Sequence, residues 1–182
     1  MTEVQDKYRV VSSAFGAAVK AVAPDQWGTQ SPCVQWTARD LLAHVVENHR
    51  GVIASVWGGE AEPLGADEDP KQAWDAVCRA IGEITEDPET AAKEMDGPMG
   101  KMPAGEIIDQ FVTMDVLVHT WDLARTIGAD ERLDEDSVLR AYEALKPMDA
   151  MIRLPNVFGP KLEPPVGADL QTEFLYFLGR RA

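Results

Sequence analysis

The chain has 182 residues, 45% of them hydrophobic and 26% charged, an ordinary globular composition with enough length for one sizeable core. Acidic residues outnumber basic ones 31 to 17, giving a net charge of −14, and no Lys/Arg cluster stands out. Long-range repulsion therefore argues against nucleic acid or an anionic membrane surface as a partner.

No apolar run approaches the roughly 20 residues needed to cross a bilayer. The polar start MTEVQDKYR lacks the shape of a signal peptide, and Cys33 and Cys78 form no CxxC pair. A reduced, cytoplasmic protein with a single domain over residues 1–182 is expected, and a homodimer is compatible with these numbers.

In chain order, apolar Tyr8, Val11, Phe15, Val19 and Val22 recur at helical spacing and predict a first helix from about Glu3 to Val22. Pro24 and the segment Trp27–Trp36 make a structured loop. Thr37, with Asp40 three residues on, reads as a capping-box start for a second helix, which runs to about Trp57 and stops at Gly58-Gly59. The Gly/Pro/acid-rich stretch Gly59–Asp69 is an exposed loop, and Asp69-Pro70 opens a third helix to about Thr85. Ala91–Lys101 reads as a turn or small hairpin. Pro103 begins the longest helix, to Ile127, stopped by Gly128. A shorter helix spans about Asp134–Leu145, Pro147–Pro165 is irregular, and Asp169–Leu178 is a last amphipathic helix. Nothing reads as a parallel-strand unit, so the class is all-α, a four-helix bundle with short C-terminal helices. Trp27, Trp57 and Trp74 are expected to pack.

The long helix carries the chemistry. Its apolar residues fall nearly all round the wheel, which marks it as buried on most sides. At about 100° per residue, Asp115, His119 and Asp122 point into the sector bounded by Ile107, Ile108, Phe111 and Val112. Buried ionisable groups require partners. Asp115 and His119 are i, i+4 neighbours and can converge on one ion, as paired ligands do in zinc and bundle-core sites. A buried Asp–His hydrogen bond without metal satisfies the same burial argument. The second helix offers a third group: all three histidines lie on these two helices. His49 lies near the centre of the apolar face of Leu41, Leu42, Val45, Val46, Val52, Ile53 and Val56. His44 lies at its edge, on a stripe with Asn48, Gly51 and Ser55. Periodicity alone favours His49 as the core-facing residue.

The segment Ser31–Val46, SPCVQWTARDLLAHVV, resembles the entry into helix two of the DinB-like superfamily, and within it the metal-binding N-terminal domain of mycothiol-dependent maleylpyruvate isomerase. Asp115–Gly128, DVLVHTWDLARTIG, resembles that domain's acid-x-x-x-His-x-x-Asp-Leu helix, and the stretch NVFGP…FLYFLGRRA resembles the ending of stand-alone metal-binding relatives. The resemblance implies an up-down-down-up bundle with the metal between its second and fourth helices. It places the ligands on His44, Asp115 and His119, with Asp115 one methylene shorter than the Glu of the isomerase. It further implies an open coordination position and activation of a small thiol such as mycothiol for transfer or isomerisation with an electrophile. Zn²⁺ is the expected ion, with Ni, Fe or Mn also accepted by two imidazoles and a carboxylate. Asp122 would orient a ligand or a substrate group. Trp36, Trp121 and His49 are candidate pocket walls, and no catalytic residue is assigned. A non-catalytic metal-containing binding or regulatory module is the alternative.

The charge balance carries one expectation of its own. The chain should show no measurable binding to duplex DNA at physiological salt, and micromolar binding that weakens steeply with added salt would overturn the electrostatic argument.

Overall fold

Four long helices are set by the local signals just described. In the computed structural model, which describes residues 2–97, 99–153 and 158–182, α1 spans Glu3–Ala21, α2 Ala38–Trp57 and α3 Pro70–Glu86. The Thr37/Asp40 capping box forms at the start of α2 with both reciprocal bonds, and Asp69 caps α3 by accepting from the Lys71 and Gln72 amides. A short α4 (Pro88–Ala91) leads to an antiparallel hairpin of β1 (Glu94–Gly97) and β2 (Gly100–Pro103), in register Met95↔Met102. Pro98, inside the expected turn, lies outside the described residues.

The last rod of the bundle begins at Ala104, one residue later than expected, and it is not a uniform α-helix. It runs as α5 (Ala104–Ile107), a π turn (Ile108–Val112) and α6 (Thr113–Ile127), ended by Gly128 in the left-handed region at φ 69°. Then come α7 (Glu135–Leu145), capped by Asp134, α8 (Asp149–Ile152) and α9 (Leu170–Phe177), capped by Asp169. The stretch Pro147–Pro165, expected to be irregular, thus contains a helical turn; Asn156 and Val157 of the quoted NVFGP segment lie outside the described residues. Among the described residues no helix is long and apolar enough to cross a membrane.

Contacts at the helix ends fix the directions. Thr2 Oγ1 donates to the Thr85 carbonyl at 3.1 Å and Lys71 Nζ to the Val22 carbonyl at 3.2 Å, so α1 and α3 run in opposite senses. Lys7 pairs with Asp109 at 3.2 Å and Gln26 Nε2 donates to the Ile127 carbonyl at 3.3 Å, so α1 runs parallel to the α5–α6 rod. Arg39 reaches the Glu68 carbonyl at 3.1 Å and Lys93 the Val56 carbonyl at 3.3 Å, so α2 and α3 are parallel. The result is up-down-down-up, with α2 antiparallel to α6.

The chain divides into two compact units, one ending at Glu131, which holds the bundle, and one beginning at Arg132. In the first, Phe15, Leu41, Leu42, Ile81, Ile84, Ile108 and Leu123 are fully buried, each stabilising the fold by about 1.5–3 kcal/mol. Gly16 makes room for Trp74: a Cβ there would meet the indole nitrogen at 2.9 Å. Trp74 in turn packs edge-on against Phe15 at 4.7 Å. In the second unit, Tyr142 of α7 packs on Phe174 and Phe177 of α9, with ring centroids 6.0 and 5.4 Å apart.

His49 belongs to this core. It is 0% exposed, with Nδ1 2.7 Å from the Val45 carbonyl and Nε2 2.9 Å from the Tyr8 hydroxyl. A carbonyl only accepts, so the network assigns the proton to Nδ1, leaving Nε2 to accept from Tyr8. Burial pushes its pKa down from 6.5 to about 4, against the bond to the Val45 carbonyl. The sign follows. Above 6.5 the ring is neutral folded or unfolded; between 6.5 and about 4 the unfolded chain binds a proton that the folded chain refuses. Stability attributable to His49 is therefore complete above that window and lost through it, at a limiting slope on the order of 1 kcal/mol per pH unit. In urea unfolding of the metal-free chain, His49→Gln should lose stability less steeply than the parent as pH falls from 6.5 to 4. Equal slopes would refute the neutral buried ring.

Candidate metal centre

The antiparallel crossing of α2 and α6 sets His44 opposite Asp115. Asp115 Oδ1 lies 3.4 Å from His44 Nε2 and 3.4 Å from His119 Nε2, one helical turn along α6. The two imidazoles stand edge to face, centroids 5.1 Å apart at 79°. Each of the three residues offers one ligand atom, all within 4.8 Å of one another. Asn48, a turn beyond His44, brings its side-chain amide to 3.1 Å from His44 Nε2 and donates to Asp115 Oδ2 at 3.3 Å.

Exposure is graded across the group. The side chains of His44, Asp115, His119 and Asp122 are 32%, 23%, 8% and 0% exposed, so the site opens on the His44 side and closes toward α6. At the closed end, His119 Nδ1 donates to Asp122 Oδ2 at 2.8 Å, and Cys33 Sγ donates to the same oxygen at 3.5 Å.

Trp36 walls the site: its ring centroid is 4.7 Å from that of His44 and 6.0 Å from that of His119. The loop that carries Cys33 and Trp36 is pinned from within. Gln30 Nε2 donates to the carbonyls of Ser31, Cys33 and Trp36, the Ser31 amide donates to the Trp36 carbonyl, and Gln35 accepts a left-handed backbone at φ 70° to close the turn. Such a conformation costs a non-glycine residue on the order of 1 kcal/mol and is held by these bonds.

Electrostatics bind the pair on α6. Burial opposes ionisation of Asp115, but His119 and then His44 outweigh it and hold its carboxyl well below the usual carboxylate range. Burial likewise pushes His119 down, and Asp115 overrides it, with further help from Asp122 and Cys33, so the ring sits well above its ordinary value. The donor chemistry fits a divalent cation. Two imidazole nitrogens and a carboxylate oxygen converge on one point, the carboxylate favours positive charge there, and the second nitrogen of His119 is already held by an acceptor, as is usual for metal-ligating histidines.

Of the residues singled out from sequence, His44, Asp115, His119, Asp122 and Trp36 come together here. His49 lies in the core between Tyr8 and Trp74. Trp121 is 1% exposed under the guanidinium of Arg125, and among the described residues no ring contact joins it to His44 or His119. Two neighbours were given no part in the site by the sequence reading. Asn48 was visible as the i+4 companion of His44; Cys33 follows no helical spacing, and only the loop closure brings it in.

Two uncharacterized proteins of Mycobacterium tuberculosis, from strains CDC 1551 / Oshkosh and ATCC 25618 / H37Rv, are each 31% identical over 134 residues, covering 73% of this chain and 72% of theirs. Two solved structures share the fold: a histidine-to-alanine mutant of mycothiol-dependent maleylpyruvate isomerase (TM-score 0.60, 17% identity) and the same enzyme without that substitution in its description (TM-score 0.55, 18% identity). In both cases 82% of this chain and 71% of the other chain are covered. The family profile of the mycothiol maleylpyruvate isomerase N-terminal domain matches residues 8–124, which takes in α2, the Cys33–Trp36 loop and every residue of the His44–Asp115–His119–Asp122 group. The chain belongs to the mycothiol maleylpyruvate isomerase N-terminal domain family.

Proposed function

We propose that this protein binds one divalent metal ion through His44, Asp115 and His119, and that the site serves a mycothiol-type, thiol-dependent transfer or isomerisation in the cytoplasm. The observation that carries the reading is the convergence of these three donor atoms within 4.8 Å at the solvent-facing edge of the bundle. An ion held there, Zn²⁺ before Ni, Fe or Mn, would supply the Lewis acidity that favours the thiolate form of a small thiol at neutral pH.

The chain's own groups prepare that role. Asp122 takes the Nδ1 proton of His119 as a hydrogen bond and so orients Nε2 toward the donor point, where an ion would replace its proton. Asn48 occupies Asp115 Oδ2 and leaves Oδ1 to the two imidazoles. Trp36 covers one side of both rings and reduces the water around them. His44, a third exposed, marks the side from which a thiol and then an electrophile would approach. Three protein donors leave a fourth position for such a ligand, as in catalytic rather than structural zinc sites.

Metal content of tag-free protein tests the ligand set. His44→Ala and His119→Ala should each abolish stoichiometric metal, Asp122→Asn should weaken it by about 10–100-fold, and His49→Ala should retain it. Loss in His49→Ala with retention in His44→Ala would overturn the assignment.

The thiol half of the reading is tested on the Co²⁺-loaded chain. Adding mycothiol should change the visible spectrum, with a new sulfur-to-cobalt charge-transfer band. Binding should release a proton and tighten with rising pH while the free thiol is still protonated. A stoichiometric Co²⁺ spectrum indifferent to thiol would end the transferase reading and leave a metal-containing binding or regulatory module.

A further inference from the structure

His119 has two ring nitrogens, and the proposed metal centre uses only one. On the Nδ1 side stand Asp122 Oδ2 at 2.8 Å and, on that same oxygen, Cys33 Sγ at 3.5 Å. Sulfur, nitrogen and oxygen ligand atoms of Cys33, His119 and Asp122 all lie within 4.8 Å of one another. We propose that these three residues form a second, thiophilic metal site, separate from the His44 side of the same imidazole.

The geometry is close to what an ion needs. Bonds of about 2.3 Å to sulfur and about 2.0 Å to nitrogen and oxygen put tetrahedral neighbours roughly 3.3–3.6 Å apart. The nitrogen–oxygen pair must open slightly from 2.8 Å, while the sulfur–oxygen pair already stands at 3.5 Å. The donors are firmly mounted. His119 and Asp122 occupy one turn of α6. The Cys33 backbone is tied on both sides, its amide donating to Ser31 Oγ at 3.2 Å and its carbonyl accepting from Gln30 Nε2 at 3.0 Å and the Trp36 amide at 3.1 Å.

The donor set selects the ion. Thiolate, imidazole and carboxylate give a softer field than two imidazoles and a carboxylate, and one thiolate with one carboxylate neutralises a divalent charge at a place where Asp122 is 0% exposed. On binding, the Cys33 thiol proton and the Nδ1 proton of His119 leave to solvent, and the ring keeps its Nε2 proton, which faces Asp115 Oδ1. A neutral imidazole has one lone pair, so ions on the two sides compete for His119. Thiophilic ions would thereby disable the first centre without touching His44.

Cd²⁺ titrated into the metal-free full chain, with no added thiol, tests this. A sulfur-to-cadmium charge-transfer absorption should grow and saturate at one equivalent. It should persist in His44→Ala and Cys78→Ser, vanish in Cys33→Ser, and require at least about tenfold more Cd²⁺ in Asp122→Asn. On the unsubstituted chain, Cd²⁺ should protect Cys33 from iodoacetamide, read by peptide mass spectrometry, which removes any dependence on the folding of a variant. Absorption that survives Cys33→Ser, or Cys33 alkylation unaffected by Cd²⁺, would overturn the proposal. Loss of the band in a folded His44→Ala chain would also overturn it, making Cys33 a fourth ligand of one centre. Failure of the first centre alone appears instead as absent Zn²⁺ with the Cd²⁺ band intact.

Discussion

A carboxylate on the flank of a mostly buried helix has to find positive or proton-bearing partners, because leaving it desolvated and alone costs several kcal/mol. Asp115 is that group, 23% exposed, and its partners lie on two different helices. His119 comes from its own helix one turn on; His44 can come only from α2, and only if α2 runs antiparallel to α6 at this height. Much else serves that crossing. The Thr37/Asp40 capping box starts α2 at a fixed residue, the Cys33–Trp36 loop closes over the imidazoles, and Arg39, bonded to the Glu68 carbonyl, ties the start of α2 to the start of α3. Charge pairing and packing thus specify the same arrangement.

The π turn decides which way the polar residues face. In an uninterrupted α-helix Asp115 would share a stripe with Ile107 and Phe111, and all three would be driven to the same depth. The turn at Ile108–Val112 inserts an extra residue's worth of rotation between the two halves. Ile107, Ile108 and His119 stay in the core, at 5%, 0% and 6% exposure, while Asp115, its side chain 23% exposed, meets His44 of α2. The interruption is stabilised locally: Thr113 Oγ1 donates to the Ile108 carbonyl at 2.8 Å. A helical wheel has no term for such an insertion; it still sends His119 and Asp122 to the core correctly, and only Asp115, 23% exposed, lies shallower than the wheel implies.

What was legible in the sequence follows the range of the interactions. Capping and termination act over three or four residues, and Thr37, Asp69, Asp134, Gly58 and Gly128 mark boundaries seen in the structure. The i, i+4 pairing of Asp115 with His119 is equally local. The choice between His44 and His49 was not, because it depends on where α6 lies relative to the α2 face. The wheel correctly sends His49 to the core, where Tyr8 and Val45 satisfy both ring nitrogens and Trp74 covers the ring. The inference that fails is that the more buried histidine must be the one that meets Asp115. Cys33 was out of reach for a different reason: its position follows from the bonds of an irregular loop, which no periodicity encodes.

The same distinction explains why the site sits at an edge. A metal centre that must admit a ligand needs one face in contact with solvent and another rigid enough to hold its donors in place. Burial rises from His44 through Asp115 and His119 to Asp122 along a single line of contacts, so the accessible end and the buried end belong to one hydrogen-bonded group. His49, with both nitrogens committed and no exposure, has neither a free donor atom nor a path to solvent. Exchanging the roles of the two histidines would therefore require rotating α2 by more than a third of a turn, exposing part of the Leu41, Leu42, Val45 and Val46 face, each fully buried and each stabilising the present register by about 1.5–3 kcal/mol. The hydrophobic seam of α2, rather than any property of imidazole, determines which histidine faces Asp115.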